Sequence, residues 1–224
     1  FIVEDPAQRE RDMRFALRYV QEPPKGINEL IVSPMSFLAA VDANGKVIAR
    51  DLKKADEDQM KGEDFAAKFP VVRRALEDGI ATEGLVTFDA TDDKAKPPAS
   101  YSMLFVAPAR VAGKVVGALV AGIPLWRWSQ RLSTQGQLEL TKEPSAIYWV
   151  FAWKGDQLFP PKQGLEFDAL LPDAAARKAG LAASPRGFMG KAQQYDRWYV
   201  YGVLPVPSIA SDAGFIVVRG EPLE

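Results

Sequence analysis

Asn44-Gly45 lies between two apolar runs, Phe37-Leu38-Ala39-Ala40-Val41 and Val47-Ile48-Ala49, and no other short pattern in the chain commits it so firmly to one local structure. Asn and Gly tolerate the left-handed backbone that a two-residue hairpin turn demands, so both are expected at positive φ in a tight antiparallel hairpin. Whatever this chain becomes, it contains a sheet that begins here.

The rest of the first half can be read outward from that hairpin. Before it, Met13, Leu17 and Val20 recur at helical spacing among Arg9, Arg11, Arg14 and Arg18 over residues 5 to 21, which predicts one apolar stripe on a charged helix ending at Pro23-Pro24. After it, Phe69-Pro70 opens and Gly79 closes a short helix over Val71 to Asp78, with proline at the start and glycine past the end. Leu85 to Phe88, Tyr101 to Ala107 and Val115 to Ile123 read as strands, the last two joined around Gly113. Asp89 to Pro98 reads as a polar loop.

The same order recurs downstream. Ile147 to Ala152 and Gln157 to Phe159 flank Lys154-Gly155-Asp156, Pro172 and Gly180 bracket a second short helix, and Gly187 to Lys191, Arg197 to Leu204 and Gly214 to Arg219 are strand-like. Pro108 and Pro205, and likewise Gly117 and Gly214, are 97 residues apart. An internal duplication is the economical reading. The expected fold class is therefore α/β (α+β), with two tandem modules that are each a mostly antiparallel five-stranded sheet flanked by short helices. The expected domains are an N-terminal helix and connector over 1–30, a first module over 31–128, a linker over 129–144 and a smaller second module over 145–224. Trp126-Arg127-Trp128 would begin that linker and pack between modules.

Composition removes several kinds of chemistry. The chain has no cysteine and no histidine, so Ser-His-Asp and Cys-His nucleophiles, ordinary zinc sites, His-ligated haem and histidine pH switches are all excluded. No cofactor is expected. Charges nearly cancel, 28 Lys+Arg against 29 Asp+Glu, with no basic patch for nucleic acid. Asp56-Glu57-Asp58 and Asp92-Asp93 lack the spaced ligand ladder of a calcium loop and are expected to be solvated. The apolar run Val115 to Trp126 is too short for a membrane span. A chain that opens at Phe1 and closes at Leu223-Glu224 reads as a segment excised from a longer protein.

Val41-Asp42-Ala43-Asn44-Gly45-Lys46-Val47-Ile48, then Lys61-Gly62-Glu63-Asp64-Phe65, then Ala107-Pro108-Ala109-Arg110-Val111-Ala112-Gly113-Lys114-Val115-Val116-Gly117-Ala118-Leu119 form an ordered set. This set resembles the Cache (PDC, PAS-like) extracytoplasmic sensor domains, well over residues 35 to 125 and weakly beyond. The resemblance implies a double-Cache ectodomain of a chemoreceptor, sensor kinase or cyclase receptor, periplasmic or extracellular, membrane-anchored in the full-length protein and able to form a homodimer. It also implies a small-molecule ligand, such as an amino acid or carboxylate, between the concave sheet face and the helices, and no enzymatic activity. The alternatives are a PAS-like protein-interaction module without a ligand, or a cytosolic PAS or GAF tandem.

Five residues are candidates for the ligand site. Arg50, after the hairpin, and Arg73, on the short helix, would clamp a carboxylate through paired charge-assisted hydrogen bonds, against the alternative that each is a solvated arginine. Tyr101, Met103 and Phe105 alternate onto one strand face and would wall the pocket opposite the helix of Arg73, against the alternative of ordinary core packing. Tyr199 and Tyr201 form the corresponding set in the second half.

Overall fold

A computed structural model describes residues 4–21, 37–88, 100–139, 146–160 and 169–220. The chain forms two units, Phe1–Pro124 and Leu125–Glu224. The expected turn at Pro23-Pro24, the polar loop over 89–98 and Asp92-Asp93 lie outside the described residues.

The first unit contains α1 (Pro6–Gln21), β1 (Phe37–Asp42), β2 (Val47–Arg50), α2 (Phe65–Lys68), α3 (Pro70–Asp78), β3 (Thr82–Phe88), β4 (Ser100–Val111) and β5 (Lys114–Pro124). Its sheet runs β2-β1-β5-β4-β3 with every neighbouring pair antiparallel. The hairpin forms where expected, but by another turn. Gly45 has φ 85°, while Asn44 does not share the positive φ. The Asp42 carboxylate explains the difference, because its Oδ1 accepts from the N–H groups of Asn44 and Lys46, both at 2.9 Å, and Gly45 N–H closes on Asp42 O at 3.0 Å. A side chain that caps its own turn favours a three-residue loop with a single left-handed glycine. The two-residue turns with both residues at positive φ are Ala112-Gly113 and, in the second unit, Tyr195-Asp196.

Strand alternation gives the first sheet two differently covered faces. Phe37, Ala39, Val41, Leu104, Val106, Ala118 and Val120 meet Phe65, Phe69, Val71, Val72 and Ala75 of the α2–α3 layer. We call this the inner face. On the opposite face, Leu38, Ala40 and Ala49 receive Leu17, Met13 and Val20, so the α1 stripe packs as its spacing predicts. Pro70 opens α3 and Gly79, at φ 67°, closes it with its N–H on Ala75 O. Asp64 caps α2 by accepting from Ala67 N–H at 2.9 Å.

The second unit contains α4 (Leu125–Glu139), β6 (Ile147–Lys154), β7 (Gln157–Phe159), α5 (Ala174–Ala183), β8 (Phe188–Gln194), β9 (Arg197–Pro205) and β10 (Ala213–Gly220). Its sheet runs β7-β6-β10-β9-β8, the first unit's order strand for strand, so the chain is a tandem of two PAS-like α/β units. The 97-residue offset holds for the prolines and slips by one for the glycines, since Pro108 faces Ala118 whereas Pro205 faces Gly214. A register shift at Ala109/Arg110 accounts for the slip.

Two expectations for this half are corrected. Residues 125–139 are a helix of the second unit rather than the end of the first module and a linker. The cause is the shortness of β7, which pairs with Ala152, Trp153 and Lys154 and leaves N–H groups of β6 from Tyr148 to Ala152 to be met by α4 side chains. Ser133 Oγ accepts from Val150 N–H at 2.8 Å, Gln137 Oε1 from Tyr148 N–H at 2.9 Å and Ser129 Oγ from Ala152 N–H at 2.7 Å. Trp128 accordingly sits edge-on to Phe215 of β10, with ring centroids 5.8 Å apart. Gly180 lies inside α5 rather than at its end, because a Cβ there would come within 2.4 Å of the Phe188 ring.

Candidate functional site

Four phenylalanines close a ring across the inner face of the first unit. Phe37 meets Phe65 at 6.4 Å, Phe65 meets Phe69 at 5.1 Å, Phe69 meets Phe88 at 5.0 Å and Phe88 meets Phe37 at 5.7 Å. Each edge-on pair adds about 0.5–1.5 kcal/mol beyond area burial. Phe37 reaches this position because Gly122 faces it across the sheet, where any Cβ would stand 2.2 Å from the ring.

Arg50 sits at the rim of this ring. It ends β2 opposite Ala39, so its side chain shares the inner face, and its guanidinium lies over the Phe37 ring at 5.3 Å. Its Nε is buried and makes no hydrogen bond, and Asp51 Oδ1 stands 4.0 Å away. Asp51 accepts from Leu38 N–H at 3.2 Å and from the Gln21 side-chain amide, and burial pushes its carboxyl above the usual aspartate range. A guanidinium on an aromatic face with one buried donor unmet can take a small anion by a charge-assisted hydrogen bond.

The main chain of Arg50 is held from two sides. Its N–H donates to Asp58 Oδ2 at 3.1 Å, and its carbonyl accepts from Arg14 Nη1 at 3.3 Å. Arg14 Nη2 donates to the same Asp58 oxygen and to Glu10 Oε1, each at 3.1 Å. Glu10 in turn takes Lys61 at 2.6 Å. Burial acts to raise the Glu10 carboxyl, but the hydrogen bonds from Lys61 and Arg14 outweigh it and hold the group below its ordinary value. Asp58 is thus corrected from a solvated loop residue to a fully buried side chain that ties α1 to the end of β2.

The candidates do not gather into one pocket. Arg73 is exposed on α3, whose buried residues are Val71, Val72 and Ala75. Leu104 and Val106 are the inner-face residues of β4, so alternation turns Tyr101, Met103 and Phe105 to the α1 side. Met103 is buried there, Tyr101 and Phe105 are half-buried, and Phe105 lines a shallow groove with Leu38, Leu119 and Ala121. The expected enclosure between these three and the helix of Arg73 is therefore not what the strand forms. Aligning Pro108 with Pro205 matches Tyr199 to Ser102 and Tyr201 to Leu104, so the second unit's tyrosines do face inward. Tyr199 is buried and stacks on Trp149 at 6.2 Å and 9°.

Sequence reasoning missed Arg177 as well. This buried arginine donates to three carbonyls, Pro172 O at 3.0 Å, Gly155 O at 3.0 Å and Asp156 O at 3.2 Å, tying the β6–β7 turn to the start of α5. Burial lowers its pKa, and Asp156 and Asp173 oppose that shift. The first unit joins the equivalent parts through main chain, Phe65 N–H to Gly45 O and Val47 N–H to Glu63 O, both at 2.9 Å.

No protein-family profile matches the chain, and no curated protein matches it. Solved structures do. An extracellular ligand binding receptor from Desulfohalobium retbaense aligns at 10% identity and TM-score 0.46, covering 96% of this chain and 39% of the receptor. The sensor domain of the V. cholerae histidine kinase DctB aligns at 15% identity and TM-score 0.42, covering 97% of this chain and 81% of that one. The ligand binding domain of the Pseudomonas aeruginosa amino acid chemoreceptor PctB, in complex with L-Gln, aligns at 14% identity and TM-score 0.40, with 95% and 77% covered. Among the described residues, no helix is long and apolar enough to cross a membrane.

Proposed function

We propose that this chain is the extracytoplasmic ligand-sensing portion of a membrane-anchored bacterial receptor of the chemoreceptor, sensor kinase or cyclase type, and that its first unit binds a small carboxylate or amino acid at Arg50. The observation that carries this reading is the buried Arg50 Nε, unmatched by any hydrogen-bond acceptor, on the sheet face that the helices cover. An acceptor-free buried donor is destabilising by about 1–3 kcal/mol, and a ligand carboxylate would relieve that penalty. Sensing then requires the ligand to bind one of two states better than the other, and the hydrogen bonds that Arg50 shares with Asp58 and Arg14 of α1 give its movement somewhere to go. No chemical step is assigned to the chain, and Tyr101, Met103, Phe105 and Arg73 are left outside the proposed contact set.

The second reading is a protein-interaction module without a small-molecule ligand, and the four-phenylalanine ring favours it because side chains already occupy the inner face. A thermal-shift screen against amino acids and small carboxylates separates the two, followed by calorimetry on Arg50→Gln and Tyr199→Ala. The sensor reading expects a saturable rise in melting temperature, and a ten- to hundredfold loss of affinity, roughly 1.5–3 kcal/mol, in Arg50→Gln alone. Full affinity in Arg50→Gln with loss in Tyr199→Ala would move the site to the second unit. A flat screen favours the interaction module.

A further inference from the structure

We infer that the second unit holds a binding site of its own, on the inner face of its sheet, for an aromatic monocarboxylate that accepts hydrogen bonds from Arg177 and Trp153. Arg177 Nε and Trp153 Nε1 are both buried donors without an acceptor, and the Arg177 guanidinium lies over the Trp153 ring at 5.8 Å. Trp153 is 5% exposed and Arg177 3%. Two unmet buried donors side by side, one from β6 and one from α5, match the two oxygens of a single carboxylate. The terminal nitrogens of Arg177 are held by the Pro172, Gly155 and Asp156 carbonyls, so the arginine is fixed in place before a ligand arrives.

The covering layer fills this face less than its counterpart. α3 buries Val71, Val72 and Ala75 against the first sheet, whereas the buried residue of α5 is Arg177. Leu104, Val106 and Val120 of the first inner face are at most 2% exposed, while Trp149, Phe151 and Tyr201 of the second are half-buried. Alternation puts Phe151 on the same face as Trp153, and Ile216 of β10 lies opposite Phe151, so an apolar wall adjoins the two donors. Charge then selects a monoanion. Among the described residues no carboxylate pairs with Arg177: Asp173 Oδ1 accepts from Ala176 N–H at 2.7 Å as the cap of α5, and Asp156 is exposed. One ligand carboxylate gives the guanidinium its ion pair, and a second would lie unpaired among apolar side chains. This site is separate from Arg50 and does not rest on the proposal made for it.

Calorimetric titration of the chain with benzoate tests the inference, with acetate, benzamide and terephthalate as the other arms. The expected result is a saturable benzoate site that Trp153→Phe, which keeps an aromatic ring and removes the N–H, weakens about ten- to hundredfold. Acetate should bind at least about tenfold more weakly for want of an apolar body, and benzamide about tenfold more weakly for want of a charge. Terephthalate should not bind. Should Trp153→Phe fail to fold, the indole N–H signals of the five tryptophans in the unaltered protein carry the test, and benzoate should move one of them downfield. No saturable benzoate binding, equal affinity in Trp153→Phe, loss of affinity in Arg50→Gln alone, equal affinity for acetate, benzamide or terephthalate, or five unmoved indole signals would each overturn the inference.

Discussion

Asp58 Oδ2 accepts the Arg14 guanidinium and the Arg50 main-chain N–H at the same distance, 3.1 Å. One buried carboxylate oxygen therefore holds a helix and a strand end together. Removing it leaves the Arg14 guanidinium, whose side chain is 9% exposed, to Glu10 and the Arg50 carbonyl, and leaves the Arg50 N–H without its acceptor, which is destabilising by about 1–3 kcal/mol. Asp58→Ala should lower the urea midpoint accordingly, and exchange of the α1 amides should rise towards that of unprotected helix. If α1 stays protected in the variant, the apolar stripe alone anchors the helix.

Two glycines with nearly the same φ separate backbone strain from steric fit. Gly45 and Gly62 lie at φ 85° and 80°, yet a Cβ at Gly45 would stand 2.2 Å from Ala66 Cβ while one at Gly62 meets nothing. Gly62→Ala should lose only about 1–2 kcal/mol from the left-handed backbone. Gly45→Ala should lose more, because the hairpin must also retreat from α2, and paired thermal melts would show equal losses if that contact were unimportant.

Arg177 should not be replaceable by lysine. Its planar fork reaches Pro172, Gly155 and Asp156 carbonyls at once and lies over the Trp153 ring at 5.8 Å, whereas an ammonium offers no planar fork to match. Arg177→Lys should lower stability by at least about 1 kcal/mol. Near-native denaturation of the lysine variant would show that charge, not geometry, holds the turn.

Asp51 makes stability depend on pH in a defined direction. Its carboxyl is raised in the folded protein, chiefly by burial, so the folded state binds the proton more tightly than the unfolded one. Its contribution is therefore present in full below the ordinary aspartate pKa and is lost as pH rises through the raised value. Asp51→Asn keeps an acceptor for Leu38 N–H and should flatten that part of the stability curve. Melting temperatures from pH 3.5 to 7 that fall equally steeply in both proteins would count against the assignment.

The sequence by itself determined the order of the strands and of the helices other than α4, and most of their bounds. Helix periodicity in Met13, Leu17 and Val20, the proline and glycine around α3, and the Asp42–Gly45 turn act over a few residues, where backbone sterics and local hydrogen bonds decide. Repetition of those signals also carried the duplication, which the matching strand orders bear out. What period-two alternation does not say is which face is which: Tyr101, Met103 and Phe105 do share a face, but only the packing of Leu104 and Val106 under α2 and α3 turns them away from the helices. The same holds for charge. Asp58 looked like any acidic loop residue, and Arg14, flanked by stripe positions at Met13 and Leu17, looked like the helix's other arginines. Only the approach of α1 to the end of β2 brings residues 14, 50 and 58 within hydrogen-bonding range, because an ion pair between segments 44 residues apart leaves no local trace in either one.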